Sequence, residues 1–316
     1  MSEITYNLKP LPSHNFKRWK FRSGENLENA KQKKVDAIAG IIKGIIADKL
    51  INKAEYEFIS EWIVTYAKYF KTCPIADVLL GIREKIVVGT QSGKTISFLQ
   101  KEVLKLRLLN YGEVIWLELE KHIEKNIVAG IVDGLISDNE LNHVEMDYLD
   151  GWIRSLGDKS KDWPICELKK AVRKYKKQAN DEKARFEIYK YLISFTGKQE
   201  GLPATALRSI SIFPDPDAAT FCFKKVQFYL SGRFELGTKA EICEMIKARG
   251  GYANEKWQHG DYLVVGSFGH PEWAHHNFGR KIEGEAKYGD TTRIISEQFL
   301  KKMFEKHPEI KVEVIP

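Results

Sequence analysis

Cysteine is scarce in this chain: only Cys73, Cys166, Cys222 and Cys243 occur among 316 residues, far apart and with no C-x-x-C pair. That scatter argues against a disulfide framework and against a thiolate zinc site, and leaves the four thiols expected as small buried hydrophobes. Long apolar runs are missing too. Nothing approaches the roughly 20 residues needed to cross a bilayer. The opening "MSEITYNLKP" also lacks the basic-then-apolar order of a secretory signal. The expectation is a soluble, cytoplasmic protein with no membrane partner.

Catalytic signatures are equally thin. "GTQSGKT" (89–95) leaves three residues between Gly89 and Gly93 where a P-loop needs four, so it reads as a Gly/Ser connection between helices. "KVDA" (34–37) approaches the K-x-D-G adenylation motif of DNA ligases, but Ala37 replaces the glycine and the segment lies in a helical pattern. No paired carboxylates stand in a recognisable active-site context. The chain is therefore expected to be non-enzymatic, with no cofactor and no resident metal.

What is present is material for packed cores. Hydrophobic residues make up 43% and aromatics 11%, at a length that allows two or three domains. The first organisational signal is an internal repeat. "AGIIKGIIADKLINKAEYEFISEWI" (39–63) and "AGIVDGLISDNELNHVEMDYLDGWI" (129–153) align without a gap, and the register persists to Pro74 and Pro164. Each copy reads as helix, break, helix. Ile38, Ile41, Ile42, Ile45 and Ile46 make one helical stripe, and Val128, Ile131, Val132, Leu135 and Ile136 its counterpart. The second helix of each copy opens with a capping box, Asn52 with Glu55 and Asn142 with Glu145. Phe58, Ile59 and Trp62, or Tyr148, Leu149 and Trp152, supply its apolar face. An EF-hand reading of the break fails, because the first ligand positions would be Gly44 and Ile46, or Gly134 and Ile136, which have no side-chain oxygen.

These breaks, built on Asp48 and Asp138, resemble the tellurite-resistance-protein-B-like (TerB-like) helical module, a family of helical bundles associated with bacterial stress systems. Where that family usually has glycine after the Asp, this chain has Lys49 and Asn139.

Positive charge flanks the helical half. The chain carries 50 Lys and Arg against 43 Asp and Glu, a net +7. "HNFKRWKFRSG" (14–24) interleaves Lys17, Arg18, Lys20 and Arg22 with Phe16, Trp19 and Phe21. "ELKKAVRKYKKQANDEKAR" (167–185) clusters Lys169, Lys170, Arg173, Lys174, Lys176 and Lys177. Such segments attract a phosphate backbone and exposed bases, or else form a solvated face and an arm packed on a bundle.

Residues 197–219, rich in Pro, Gly, Ser and Ala, predict a crossing to a separate C-terminal unit with a different rhythm. "KVQFYLSG" alternates Val226, Phe228 and Leu230 against Gln227 and Tyr229, a strand ending at Gly232. Thr238 and Glu241 form a capping box, Ile242, Met245 and Ile246 a helical stripe, and Gly250–Gly251 a stop. "DYLVVG" (261–266) reads as a buried strand, "RKIEGEAKYG" (280–289) as a helix, and "TRIISEQFL" as a strand whose Ser296 caps a last helix. Strand and helix in alternation predict a small parallel sheet covered by helices. His270, His275 and His276 are expected on a surface loop rather than at a metal.

The order and spacing of these elements resemble a BRCT domain, the module common in DNA repair and replication proteins. They are most similar to the single BRCT domain of bacterial NAD-dependent DNA ligases and of the large clamp-loader subunit. The expected organisation is multidomain: a basic aromatic arm (1–30), an all-α module of two repeats (31–196, about 34–120 and 124–196), a linker (197–220) and a small α/β BRCT domain with a parallel sheet (221–316). The resemblance implies a phosphate site made by Ser231, Gly232 and Lys281, with Lys239, Arg280 and Arg233 as auxiliary contacts. It implies DNA or a phosphoprotein as partner, with a further protein partner at the repeats. The alternatives are a BRCT-mediated protein-contact or dimerisation module in a bacterial stress system, and a ligase-associated accessory factor.

Overall fold

The computed structural model describes residues 24–309 apart from 68–69, 71–73, 87, 91–92, 112–119, 179–180, 199–205, 207, 257, 271–272 and 290. The basic aromatic segment 14–23, Cys73 and Trp257 lie outside the described residues. The first repeat contains α1 (Gly24–Ile45), α2 (Lys53–Ala67), α3 (Pro74–Lys85) and α4 (Gly93–Tyr111). The second matches it with α5 (Glu120–Leu135), α6 (His143–Ser155), α7 (Ile165–Lys176) and α8 (Glu182–Thr196). In the first repeat, β1 (Leu50–Ile51) pairs antiparallel with β2 (Gly89–Thr90), so the Gly89 end of "GTQSGKT" is tied down rather than a loose connection.

The repeats meet through α1 and α5, and glycine makes that contact possible. A Cβ on Gly40 would lie 2.2 Å from the carbonyl oxygen of Ile127, and one on Gly130 2.2 Å from that of Ala37. Gly44 and Gly134 repeat the arrangement one turn on, with distances of 2.4 and 2.5 Å to the oxygens of Ile131 and Ile41. The breaks also clasp each other. Asn52 and Asn142 cap their own helices, accepting from the N–H of Glu55 and Glu145 at 3.0 Å each. Their amide groups then donate across the dyad, Asn52 to Asp138 at 2.6 Å and Asn142 to Asp48 at 3.1 Å. Lys49 and Asn139 sit at φ 66° and 68°, the left-handed backbone that glycine adopts most readily.

The C-terminal part holds four parallel strands in the order β4-β3-β5-β6: β3 (Gln227–Ser231), β4 (Tyr252–Ala253), β5 (Tyr262–Val265) and β6 (Arg293–Ser296). The helices α9 (Lys239–Lys247), α10 (Arg280–Tyr288) and α11 (Glu297–Lys306) alternate with them. Thr238 and Ser296 cap α9 and α11 as the sequence predicts. Both faces of the sheet are covered. Phe228, Leu230 and Val264 enter a core with α9 and α11, while Tyr229, Leu263 and Val265 point the other way into the core of the second repeat. Tyr229 is fully buried for that reason.

Residues 208–213 are part of that shared core. Ile210 is buried, and Arg208 forms an ion pair with Asp133 of α5 at 3.1 Å, each 5% exposed. The backbone N–H groups of Ser209, Ile210 and Ser211 donate to Ser267, Asn277 and Ser194. The thiols correct one expectation: Cys243 is buried, but Cys166 only edges the core of the second repeat and is half-buried, and Cys222 is exposed.

Candidate anion-binding site

In an open parallel sheet, ligands gather at the carboxyl ends of strands where strand order reverses. Here the reversal falls between β3 and β5, and β3 ends in Ser231–Gly232. The Ser231 carbonyl accepts from Gly266 at 2.9 Å, and Arg233 and Phe268 exchange backbone bonds of 2.8 and 3.0 Å, which fixes the turn against β5. Gly232 is at φ 87°, and a Cβ there would lie 3.0 Å both from the Phe268 oxygen and from the Trp273 ring. The same indole covers Gly279, the N-cap of α10, where a Cβ would lie 2.6 Å from Trp273 Cδ1. Trp273 thus bridges the turn after β3 and the start of α10.

Of the expected site residues, Ser231 is 4% exposed at the strand end. Lys281, half-buried in the first turn of α10, holds Nζ 5.9 Å from the centroid of Tyr229, two residues before Ser231. Burial and the charge of Lys239, the first residue of α9, hold the Lys281 ammonium below the usual lysine range. Burial likewise lowers Lys239 and Arg233. Arg280 is exposed at the start of α10, whose N-cap Gly279 offers no side chain to the first-turn N–H groups. Lys281 and Lys239 are close enough for one charge to act on the other, and an anion placed between them relieves that like-charge repulsion.

Of the three histidines expected on a surface loop before α10, His275 is buried and His270 and His276 are half-buried. His275 is 1% exposed and stacks on Phe278, with ring centroids 4.1 Å apart. Residues 275–279 are drawn inward because the helical half satisfies polar groups of this segment. His276 N–H donates to Asn126 of α5 at 2.9 Å, and Asn277 donates to the Phe195 carbonyl of α8 at 2.6 Å. Lys33 of α1 donates to the Trp273 carbonyl. The His276 imidazole is pushed down to about 3, first by burial and then by Lys34, Arg208 and Lys33. Glu283 of α10 receives Lys125 at 2.5 Å, Lys287 at 2.8 Å and His275 Nε2 at 3.0 Å. Burial alone would raise its carboxyl, but these three partners outweigh that and hold it well below the usual carboxylate range.

Sequence reasoning missed Trp273, Lys33, Lys125 and Glu283. Only the glycines that the indole touches, Gly232 and Gly279, carried a local signal of close approach. Among the described residues no group of three or more His, Cys, Asp or Glu is placed to hold a metal, and no helix is long and apolar enough to cross a membrane. A separate cavity of about 90 Å³ beside the ends of β5 and β6, lined by Ser209, Ser211, Ser267 and Gln298 among others, has the size and polarity for ordered water. Comparison of the chain with protein families, with curated proteins and with solved structures returned no match.

Proposed function

We propose that residues 221–316 form a BRCT domain whose Ser231–Gly232 turn and Lys281 bind a phosphate group carried by a nucleic acid or a phosphorylated protein. On this reading the chain is a non-catalytic adaptor, acting in the cytoplasm in bacterial DNA repair or replication. The observation that carries it is that one indole, Trp273, touches both Gly232 after β3 and Gly279 at the start of α10, so the helix that bears Lys281 begins beside the Ser231–Gly232 turn. The N-terminal repeats are TerB-like modules on the same reading, which the left-handed residues after Asp48 and Asp138 support.

The test is fluorescence anisotropy of the full chain with phosphorylated and unphosphorylated versions of one oligonucleotide and of one peptide. A charge-assisted contact to phosphate is worth about 1.5–3 kcal/mol. Lys281→Ala should therefore remove a preference of roughly tenfold to a hundredfold without changing circular dichroism or the melting temperature. A variant that keeps the wild-type preference would sink the site.

A further inference from the structure

We infer that the phosphate partner is a single-stranded nucleic acid, whose backbone runs from the Ser231–Gly232 turn along α10 to the corner between α7 and α8. This rests on the phosphate-site reading above. On α7, Lys170, Arg173, Lys174 and Lys177 form one exposed stripe, opposite the buried Leu168, Val172 and Tyr175. Lys170 is engaged by Glu167 at 2.7 Å, and Lys176 by Asp147 and Asp150 at 2.9 and 3.0 Å. Arg173, Lys174 and Lys177 have no ion pair among the described residues, and neither do Lys183 and Arg185, which follow in the first turn of α8. These five cations stand within 13 residues that hold only two carboxylates, Asp181 and Glu182, and a polyanion binding them gains by releasing its counterions.

Two further features single out a strand with unpaired bases. Phe186 is 55% exposed in the first turns of α8, with Lys190 Nζ 4.1 Å from its ring centroid, and Tyr288 is 81% exposed at the end of α10. Exposed rings beside cations are what unstacked bases pack on. The two surfaces adjoin, because Trp163, two residues before α7, packs edge-on against Phe278, two residues before α10, with ring centroids 4.8 Å apart, and Lys287 further along α10 feels the charge of Asp162. Lys281 to Tyr288 covers about 10 Å of helix and Lys170 to Lys177 about as much again, so the track is several nucleotides long.

The experiment measures anisotropy of the full chain with two 5′-phosphorylated probes, a thymidine dinucleotide and an oligothymidylate long enough to span both surfaces, over a salt series. The variants are Lys281→Ala, Arg173→Gln/Lys174→Gln/Lys177→Gln, and Arg173→Lys as a charge-keeping control. The triple variant should weaken the long probe about tenfold and reduce its log–log salt slope by about 2, leave the dinucleotide unaffected and retain the wild-type melting curve, while Arg173→Lys binds normally. An unchanged affinity and slope for the long probe in the triple variant would overturn the track while leaving the phosphate site standing. Dinucleotide binding that survives Lys281→Ala would instead overturn the phosphate site. Binding of a phosphoserine peptide but of neither oligonucleotide would overturn the nucleic-acid assignment.

Discussion

Glu55 and Glu145 occupy equivalent places in the two repeats and share one electrostatic problem. Each side chain accepts its capping N–H at 2.8 Å and each residue is 3% exposed, close to Asp48 and Asp138. Burial pushes both carboxyls up to about 8; the capping bond opposes this, and the neighbouring carboxylates add to it. The folded protein therefore keeps two protons at neutral pH that the unfolded chain releases near its ordinary value of 4.5. Between those limits the native state binds more protons than the unfolded state, so stability falls as pH rises from about 4.5 to about 8 and levels off above. In the double variant Glu55→Gln/Glu145→Gln the amide oxygen can still accept the capping bond but has nothing to titrate. Urea midpoints should drop less between pH 5 and pH 8.5 in the variant than in the wild type. Equal drops would mean that these carboxyls are ionised in the fold.

Between elements, the close approach of α1 and α5 is the contact least tolerant of change. The atom that a Cβ on Gly40 would strike is a backbone oxygen, which cannot swing away as a side chain would. Gly40→Ala should cost at least about 1–3 kcal/mol, the usual price of overpacking, despite the higher helix propensity of alanine. Gly81→Ala, on α3 with open space around its Cβ position, should be neutral or stabilising; chemical denaturation of both variants checks the contrast. The helices themselves were legible in the sequence, because capping boxes at Asn52, Asn142 and Thr238 and apolar stripes act within a few residues. The parallel sheet followed from the same short-range signals at Gly232, Gly250 and Ser296. The glycine contact was not legible: Gly40 and Gly130 are 90 residues apart, and either alone reads as a weak spot in a helix. The candidate site divides the same way. Ser231, Gly232 and Lys281 could be picked out from local order, whereas Trp273 and the burial of His275 depend on Lys33, Asn126 and Phe195, which only the tertiary fold brings to them.

At the scale of the molecule, one core joins the second repeat to the sheet. Ile127, Val128 and Leu192 from the helices pack in the same cluster as Tyr229, Leu263, Phe278 and Ile282, and Trp163 meets Phe278 edge-on at 4.8 Å. The first repeat keeps a core of its own, in which Ile59, Trp62 and Leu79 are buried. The seam between second repeat and sheet is thus continuous apolar packing, reinforced by the buried Arg208–Asp133 pair and by Lys125 on Glu283. Cooperative opening should follow these cores rather than the order of elements along the chain. Leu263→Ala removes a fully buried side chain from the shared core, a change that costs about 2–5 kcal/mol. Native-state hydrogen exchange should then quicken in α5 and α8 together with β3 and β5, while α2 and α3 keep wild-type protection. Faster exchange confined to residues 227–306 would instead show that the sheet opens independently, and that Trp273 and α10 are held by their own unit rather than by the helices behind them.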